Sequence, residues 1–220
     1  DSLCTTQHGV RQIQEDYAYN VHSGRVVYLE IYFYLKCVEV VMNNVVQVKD
    51  KKFALYIAED KIKERVKEVA RKIDEDLREK NPLFVVILNG SFIFAADLLR
   101  GMDFPCEITF VRMASYEGTC TTGEVKQLIG LKENVEGRTI VIVEDIIESG
   151  YTMKEMLHIL EEKKPKEVCI ASLFVKPGCL KVDLKIDYRC FDIEDDFIVG
   201  YGLDYDHEGR NLPHIYQVIE

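Results

Sequence analysis

The chain has 220 residues, 47% hydrophobic and 30% charged, which suits one globular domain with a sizeable core, or one domain plus an appendage, and is too short for two full domains. Acidic residues outnumber basic ones by 38 to 28, a formal net charge of -10 that argues against a nucleic-acid or anionic-membrane surface and for a small partner. Seven cysteines at irregular spacing, with no Cys-x-x-Cys pair, and five histidines without ligand spacing read as reduced cytosolic thiols and no zinc site.

Residues 1–41 combine a polar, turn-rich start with a tyrosine- and valine-rich run. The apolar segment Val26 to Val41 is broken by Glu30, Lys36 and Glu39, so it is too short to span a membrane and lacks the form of a secretory signal. Met42 opens MNNVVQVKDKKF, which reads as a natural chain start. We therefore expect an N-terminal extension over 1–41, or else one extra strand there, and a functional domain over 42–220.

From residue 59 the pattern is regular. Ile62, Val66, Val69, Ala70, Ile73 and Leu77 recur at three- and four-residue steps, which predicts an amphipathic helix ended by Asn81-Pro82. LFVVIL at 83–88 is a short continuous apolar run of the kind buried on both faces of a parallel sheet. A helix over Phe92 to Arg100, closed by Gly101, should come next. Strands at 108–113, 139–143 and 168–175 and a helix from Thr152 to Lys164 continue the alternation. The expected fold class is α/β, a mainly parallel twisted sheet flanked by helices.

Ligands in such sheets bind at the carboxyl ends of the strands. LNGS (88–91), EDIIESGYT (144–152) and KPG (176–178) each succeed a predicted strand and should share one site. Ser149, Gly150 and Thr152 offer hydroxyls and backbone N–H groups at a helix start, which suits a phosphate monoester, although such a turn taken alone is more often plain helix capping. Glu144 and Asp145 can hold the vicinal hydroxyls of a ribose, or Mg²⁺ directly or through water. Acids followed by a phosphate cup match a ribose 5-phosphate, and Glu148 between them can act as a general base.

The segment VIVEDIIESGYTM resembles the phosphoribosyl diphosphate signature of the type I phosphoribosyltransferases, and its context resembles the hypoxanthine-guanine phosphoribosyltransferases. The resemblance covers about residues 45 to 220. It rests also on LNGSFIFAADLL, similar to the pyrophosphate loop and its helix, and on RMASYEGTCTTGEVK, similar to the mobile catalytic loop. SLFVKP is similar to the purine-binding lysine segment and DFIVGYGLDYDHEGRNLPHIYQV to the C-terminal hood. It implies a type I phosphoribosyltransferase fold with a small hood, mainly over 188–220. It implies, too, a purine-salvage reaction in which a 6-oxopurine attacks C1 of 5-phosphoribosyl 1-diphosphate with Mg²⁺, yielding IMP or GMP and pyrophosphate.

Roles carry over by position. Glu148 would be the catalytic base. Asn89, Gly90, Ser115, Tyr116, Glu144, Asp145, Ser149, Gly150, Tyr151, Thr152 and Arg210 would bind the phosphoribosyl diphosphate and the nucleotide. Lys176, Phe197 and Ile198 would bind the purine; an ammonium can only donate, so Lys176 accepts a 6-oxo group and mismatches the amino group of adenine. Glu144, Asp145 and Asp204 would serve the metal. The resemblance also places a non-proline cis peptide between Leu88 and Asn89, and implies a cytosolic dimer or tetramer with no nucleic-acid or membrane partner.

Four positions depart from the family pattern. Glu148 stands where aspartate is usual, one methylene longer, and Ser149 where threonine is usual. Asp196 and Asn89 stand where some relatives carry lysine. The first of these motivates a second reading, a phosphoribosyl diphosphate-sensing regulator or an inactive homologue.

Overall fold

The computed structural model describes residues 44–114 and 126–219; for residues 114 and 126–129 the backbone alone is described. The extension expected over 1–41 and the catalytic-loop residues Ser115 and Tyr116 lie outside the described residues. The chain divides into the units Asp1–Val45 and Val46–Glu220, and the strands and helices of the described residues lie in the second but for Val45, the first residue of the first strand.

Ten strands and three α-helices are found among the described residues. The large sheet contains β3 (Leu83–Leu88), β4 (Glu107–Ala114), β5 (Lys126–Ile129), β6 (Thr139–Ile147), β7 (Glu167–Val175) and β8 (Tyr188–Asp192). Their order is β5-β4-β3-β6-β7-β8, and all neighbours run parallel except β5, which is antiparallel to β4. Helices α1 (Glu59–Leu77) and α2 (Phe92–Arg100) pack on one face and α3 (Tyr151–Glu162) on the other. This is the parallel sheet and helix arrangement that the alternating pattern predicts.

Side chains alternate along a strand, so each buried strand must supply apolar residues to both faces. Phe84 and Val86 on β3, with Val141 and Val143 on β6, meet Ile62, Val66, Ile73 and Leu98 of α1 and α2. Leu83, Val85 and Ile87, with Ile140 and Ile142, meet Met153, Met156 and Leu160 of α3. Each of these fully buried side chains contributes about 1.5–3 kcal/mol of transfer free energy. Truncating one, as in Ile142→Ala, would cost about 2–5 kcal/mol. Two thiols border the same interior: burial pushes the buried Cys190 up to about 12 and the partly buried Cys169 up to about 11.

Three local readings change. Helix α2 ends at Gly101 as expected, but its φ of -84° is not left-handed. Its glycine serves close packing instead, because a Cβ there would lie 2.8 Å from Ala70 Cβ on α1. Strand β6 continues through Ile147 rather than stopping at Val143, so Glu144 and Asp145 belong to the strand and are not a solvated terminus. The hood, expected mainly within 188–220, draws on both ends of the domain. Its four-stranded sheet has the order β1-β2-β10-β9, with β1 (Val45–Val48), β2 (Lys51–Ile57), β9 (Ile198–Val199) and β10 (Ile215–Val218), whereas β8 belongs to the large sheet. No helix among the described residues is long and apolar enough to cross a membrane.

Candidate active site

The carboxyl ends of β3, β6 and β7 bring the expected segments together. Along β6, the register with β7 pairs Glu144 with Ser172 and Ile147 with Val175. Lys176 N–H then donates to the Ile147 carbonyl at 2.9 Å and Lys181 N–H to the Ser149 carbonyl at 3.0 Å. The segment 176–181 is thereby strapped across the end of β6. Behind the turn, a Cβ on Gly150 would lie 2.6 Å from Val182 and 2.7 Å from Leu184. Gly150 also has φ +81°, so glycine is required for conformation and for space.

At the start of α3, Gly150 occupies the N-cap position and no side chain caps the helix. The nearest approach to capping is a long contact of 3.5 Å from Tyr151 N–H to Ser149 Oγ. Capping therefore does not account for the serine and threonine here. The first-turn N–H groups face an open cavity of about 120 Å³, bounded by Glu144, Ile147, Glu148, Ser149, Gly150 and Thr152. Helix dipole and free donors make this a place for an anion.

Beside it lie the two acids of β6. Glu144 is 8% exposed. Burial pushes its carboxyl well above the usual carboxylate range, and the neighbouring Asp145 charge adds to the shift. Burial raises Asp145 too, offset in part by hydrogen bonds from Glu144 and from Ile146 N–H and by the Arg210 guanidinium. Gly90 is pressed against Asp145: a Cβ there would lie 1.5 Å from Asp145 Oδ2, so only glycine fits. The Leu88-Asn89 peptide bond is cis, at the position where the resemblance puts it.

A second contact of backbone on backbone closes this corner. Gly202, at φ +105°, sits so near Gly90 that a Cβ would lie 2.0 Å from the Gly90 carbonyl oxygen. Arg210 donates to the Gly202 carbonyl at 2.8 Å and to Asp204 Oδ1 at 2.6 Å. Asp204 also accepts from His207 N–H at 2.7 Å. Asp204 is thus engaged within the hood loop. Among the described residues no group of three or more histidines, cysteines or acids is arranged to hold a metal ion, so Glu144, Asp145 and Asp204 do not form one three-acid cluster.

At the carboxyl end of β7, Lys176 is 4% exposed. Its Nζ pairs with Glu148 and lies 3.4 Å from Asp195 Oδ1. Burial opposes the charged amine, but the two carboxylates outweigh it and hold its pKa above the ordinary lysine value. Hydrogen bonds from the Cys179 thiol and from Lys176 hold Asp195 below the usual range. Phe197 is 43% exposed, with its ring 6.1 Å from Phe53 and 5.6 Å edge-on from Tyr205, so it is an accessible aromatic face and not core. Ile198 is buried on β9, an edge strand paired with β10.

Sequence reasoning missed Asp195, the hydrophobic backing of Gly150 and the Gly202 contact. The acid run DIEDD hints at the first; the others depend on contacts between distant segments. Missed as well was His214, whose Nδ1 accepts from Glu59 N–H at 2.9 Å and so caps α1 from the hood.

Known proteins are similar to this chain in sequence and fold. The family model for the phosphoribosyl transferase domain matches residues 56–206. The hypoxanthine-guanine phosphoribosyltransferase of Streptococcus thermophilus (strain CNRZ 1066) is 41% identical over 168 residues, 76% of this chain and 93% of that protein. A crystal structure of a hypoxanthine-guanine phosphoribosyltransferase from Bacillus anthracis superposes with a TM-score of 0.71 at 40% identity, covering 76% of this chain and 96% of that one. A hypoxanthine phosphoribosyltransferase structure from Staphylococcus aureus gives 0.73 at 34% identity, over 82% and 95% of the two chains. On these matches, the chain belongs to the hypoxanthine-guanine phosphoribosyltransferase family.

Proposed function

We propose that the chain is a purine-salvage enzyme, transferring the phosphoribosyl group of 5-phosphoribosyl 1-diphosphate to hypoxanthine or guanine with release of pyrophosphate. The observation that carries this reading is the juxtaposition on one sheet edge of an adjacent acid pair with Glu144 buried, an uncapped helix start and a buried lysine. Ribose hydroxyls, 5-phosphate and 6-oxo group each find a chemically matched partner. The relatives are named as transferases of this kind, and nothing in the comparisons favours a sensing regulator or an inactive homologue.

The same geometry supports a role for each residue. The N–H groups and hydroxyls of Ser149, Gly150, Tyr151 and Thr152 hold the 5-phosphate. Glu144 and Asp145 accept from the ribose hydroxyls and, as they ionise, stabilise the positive charge that develops at C1 as the bond to pyrophosphate breaks. Asn89, Gly90 and Arg210 hold the diphosphate; Ser115 and Tyr116, outside the described residues, keep the role that the resemblance implies. Lys176 donates to O6, Phe197 stacks on the base and the edge of β9 at Ile198 meets its rim. Glu148 takes the proton that the purine loses on forming the new C–N bond. Glu148 also pairs with Lys176, so base binding exchanges one partner of the ammonium for another.

The donor set fits Mg²⁺. That ion keeps several waters and takes one or two carboxylates plus substrate phosphates, which is what Glu144 and Asp145 can offer beside a bound diphosphate. When bound it would neutralise charge on the departing pyrophosphate. Asp204, held by Arg210, belongs to the surrounding shell. Cys106, Cys169, Cys179 and Cys190 are free thiols, which supports a cytoplasmic setting. Residues 42–220 would be the working unit, and assembly as a dimer or tetramer is part of the same proposal.

The test is pyrophosphate release with Mg²⁺ and 5-phosphoribosyl 1-diphosphate, offering hypoxanthine, guanine, xanthine and adenine separately. Turnover with hypoxanthine or guanine and none with adenine is expected. Turnover with adenine, or with no base at all, would overturn the assignment.

A further inference from the structure

The loop that carries Asp204 and Arg210 is held in an unusual way. Gly200, Tyr201 and Gly202 are consecutive residues at φ +107°, +48° and +105°. Two glycines adopt such angles freely, but a bulky tyrosine pays for a left-handed backbone unless its side chain is fixed by something else. Tyr201 is fixed: it is 2% exposed, and its hydroxyl donates to Asp97 Oδ2 at 2.5 Å. Asp97 lies on α2, the helix that leads directly out of the Asn89-Gly90 loop.

The consequences meet at one point. Directly after Tyr201, Gly202 packs on the Gly90 carbonyl, accepts from Arg210 Nη1 at 2.8 Å and donates its N–H to the Arg210 carbonyl at 3.0 Å. Tyr201 N–H donates to the Leu212 carbonyl at 2.8 Å, which closes the far side of the same loop. The hood contributes Arg210 to the diphosphate end and the large sheet contributes Asn89 and Gly90. The Gly202–Gly90 approach is steric and has no side chain to hold it, so the bond from the Tyr201 hydroxyl supplies the direction that sets this part of the hood loop on α2.

We propose that Tyr201 and Asp97 are positioning residues for diphosphate recognition, fixing the Arg210 loop against the Asn89-Gly90 loop without touching substrate. This deepens the proposed function and rests on it. A loop held 1 Å away from its productive place weakens the contacts it makes, and those contacts serve the sugar diphosphate, not the purine. Removing the hydroxyl should therefore act on one substrate only. Asp97 is half-buried and can accept from water once the phenol is gone, so the fold should tolerate the change.

Tyr201→Phe should raise the KM for 5-phosphoribosyl 1-diphosphate by about five- to tenfold, the size of effect expected for one ordinary hydrogen bond in a protein, with the KM for hypoxanthine within about twofold. Asp97→Ala should reproduce that split. Asp97→Asn, whose amide oxygen still accepts from the phenol, should restore most of the affinity, and Tyr201→Phe with Asp97→Ala should be no worse than either alone. Isothermal titration of the sugar diphosphate with Mg²⁺ reads the same effect without turnover, while wild-type turnover in the parallel assay reads the functional assignment separately. An equal rise in both KM values, unchanged kinetics with a lowered Tm only, additive losses in the double variant, or no rescue by Asn would each overturn the proposal.

Discussion

At the sugar end of the site two carboxylic acids, the buried Glu144 and the partly buried Asp145, lie side by side on β6, whereas at the base end a buried ammonium, Lys176, is already matched by Glu148 and Asp195. Burying like charges together costs free energy that a ligand can recover by bringing donors or a cation. A buried charge that has found partners gains little from a further one; its ligand must exchange into the existing pairing. The first end is therefore poised to gain from binding and the second to trade. This difference arises from one turn of chain: β6 runs on through Ile147, which keeps the acids inside, and Glu148 is the first residue free to swing outward.

The largest expected effect breaks the base end. Glu148→Gln keeps a hydrogen-bonding side chain beside Lys176 but cannot accept a proton, so kcat should fall by about 10²- to 10⁴-fold with the KM for the sugar diphosphate little changed. Glu148→Asp keeps the carboxylate and should retain turnover. Steady-state kinetics of both variants decide the point, and unimpaired turnover in Glu148→Gln would remove Glu148 from the chemistry.

A second prediction concerns the sugar end without ligand. An unfolded glutamate releases its proton near 4.5, while Glu144 in the folded protein holds it to higher pH. Between those values the folded state binds the extra proton, so stability falls as pH rises through the window. Glu144→Gln has no such loss. Its Tm should gain on wild type progressively as the pH is raised from 4.5, followed by thermal denaturation in ligand-free buffer; a constant gap would show that the pair is not strained by burial. The smallest effect lies outside the site. His214→Ala removes the acceptor for Glu59 N–H and should cost about 1 kcal/mol in urea denaturation, leaving kinetics alone, with His214→Asn restoring part of it.

Much of the large sheet could be read in the sequence because its signals are local. LFVVIL and the apolar half of β6 are continuous runs that only a strand buried on both faces requires, and the stripe Ile62 to Leu77 has the period of one helix face. The acids were legible as a site but not as a buried one, since a charged pair after an apolar run looks like a strand end. The hood was legible only through the resemblance of its C-terminal segment, and the strand order of its sheet left no local signal. β2 (KKFALYI) opens on two adjacent lysines and pairs with β10 more than 150 positions away, and β9 is only two residues long. Likewise, neither Tyr201 on Asp97 nor His214 on Glu59 leaves a mark in its own neighbourhood. Segments whose partners are close in sequence announce themselves; those held by the opposite end of the chain do not.

The most direct test compares Lys176→Ala with Asp145→Asn, measuring the KM for hypoxanthine and for 5-phosphoribosyl 1-diphosphate in each. Lys176→Ala should raise the first by about 10- to 100-fold and leave the second within about threefold, and Asp145→Asn should show the reverse pattern with a rise of about tenfold or more. If both variants weaken both substrates to the same extent, the site does not have two separately charged ends.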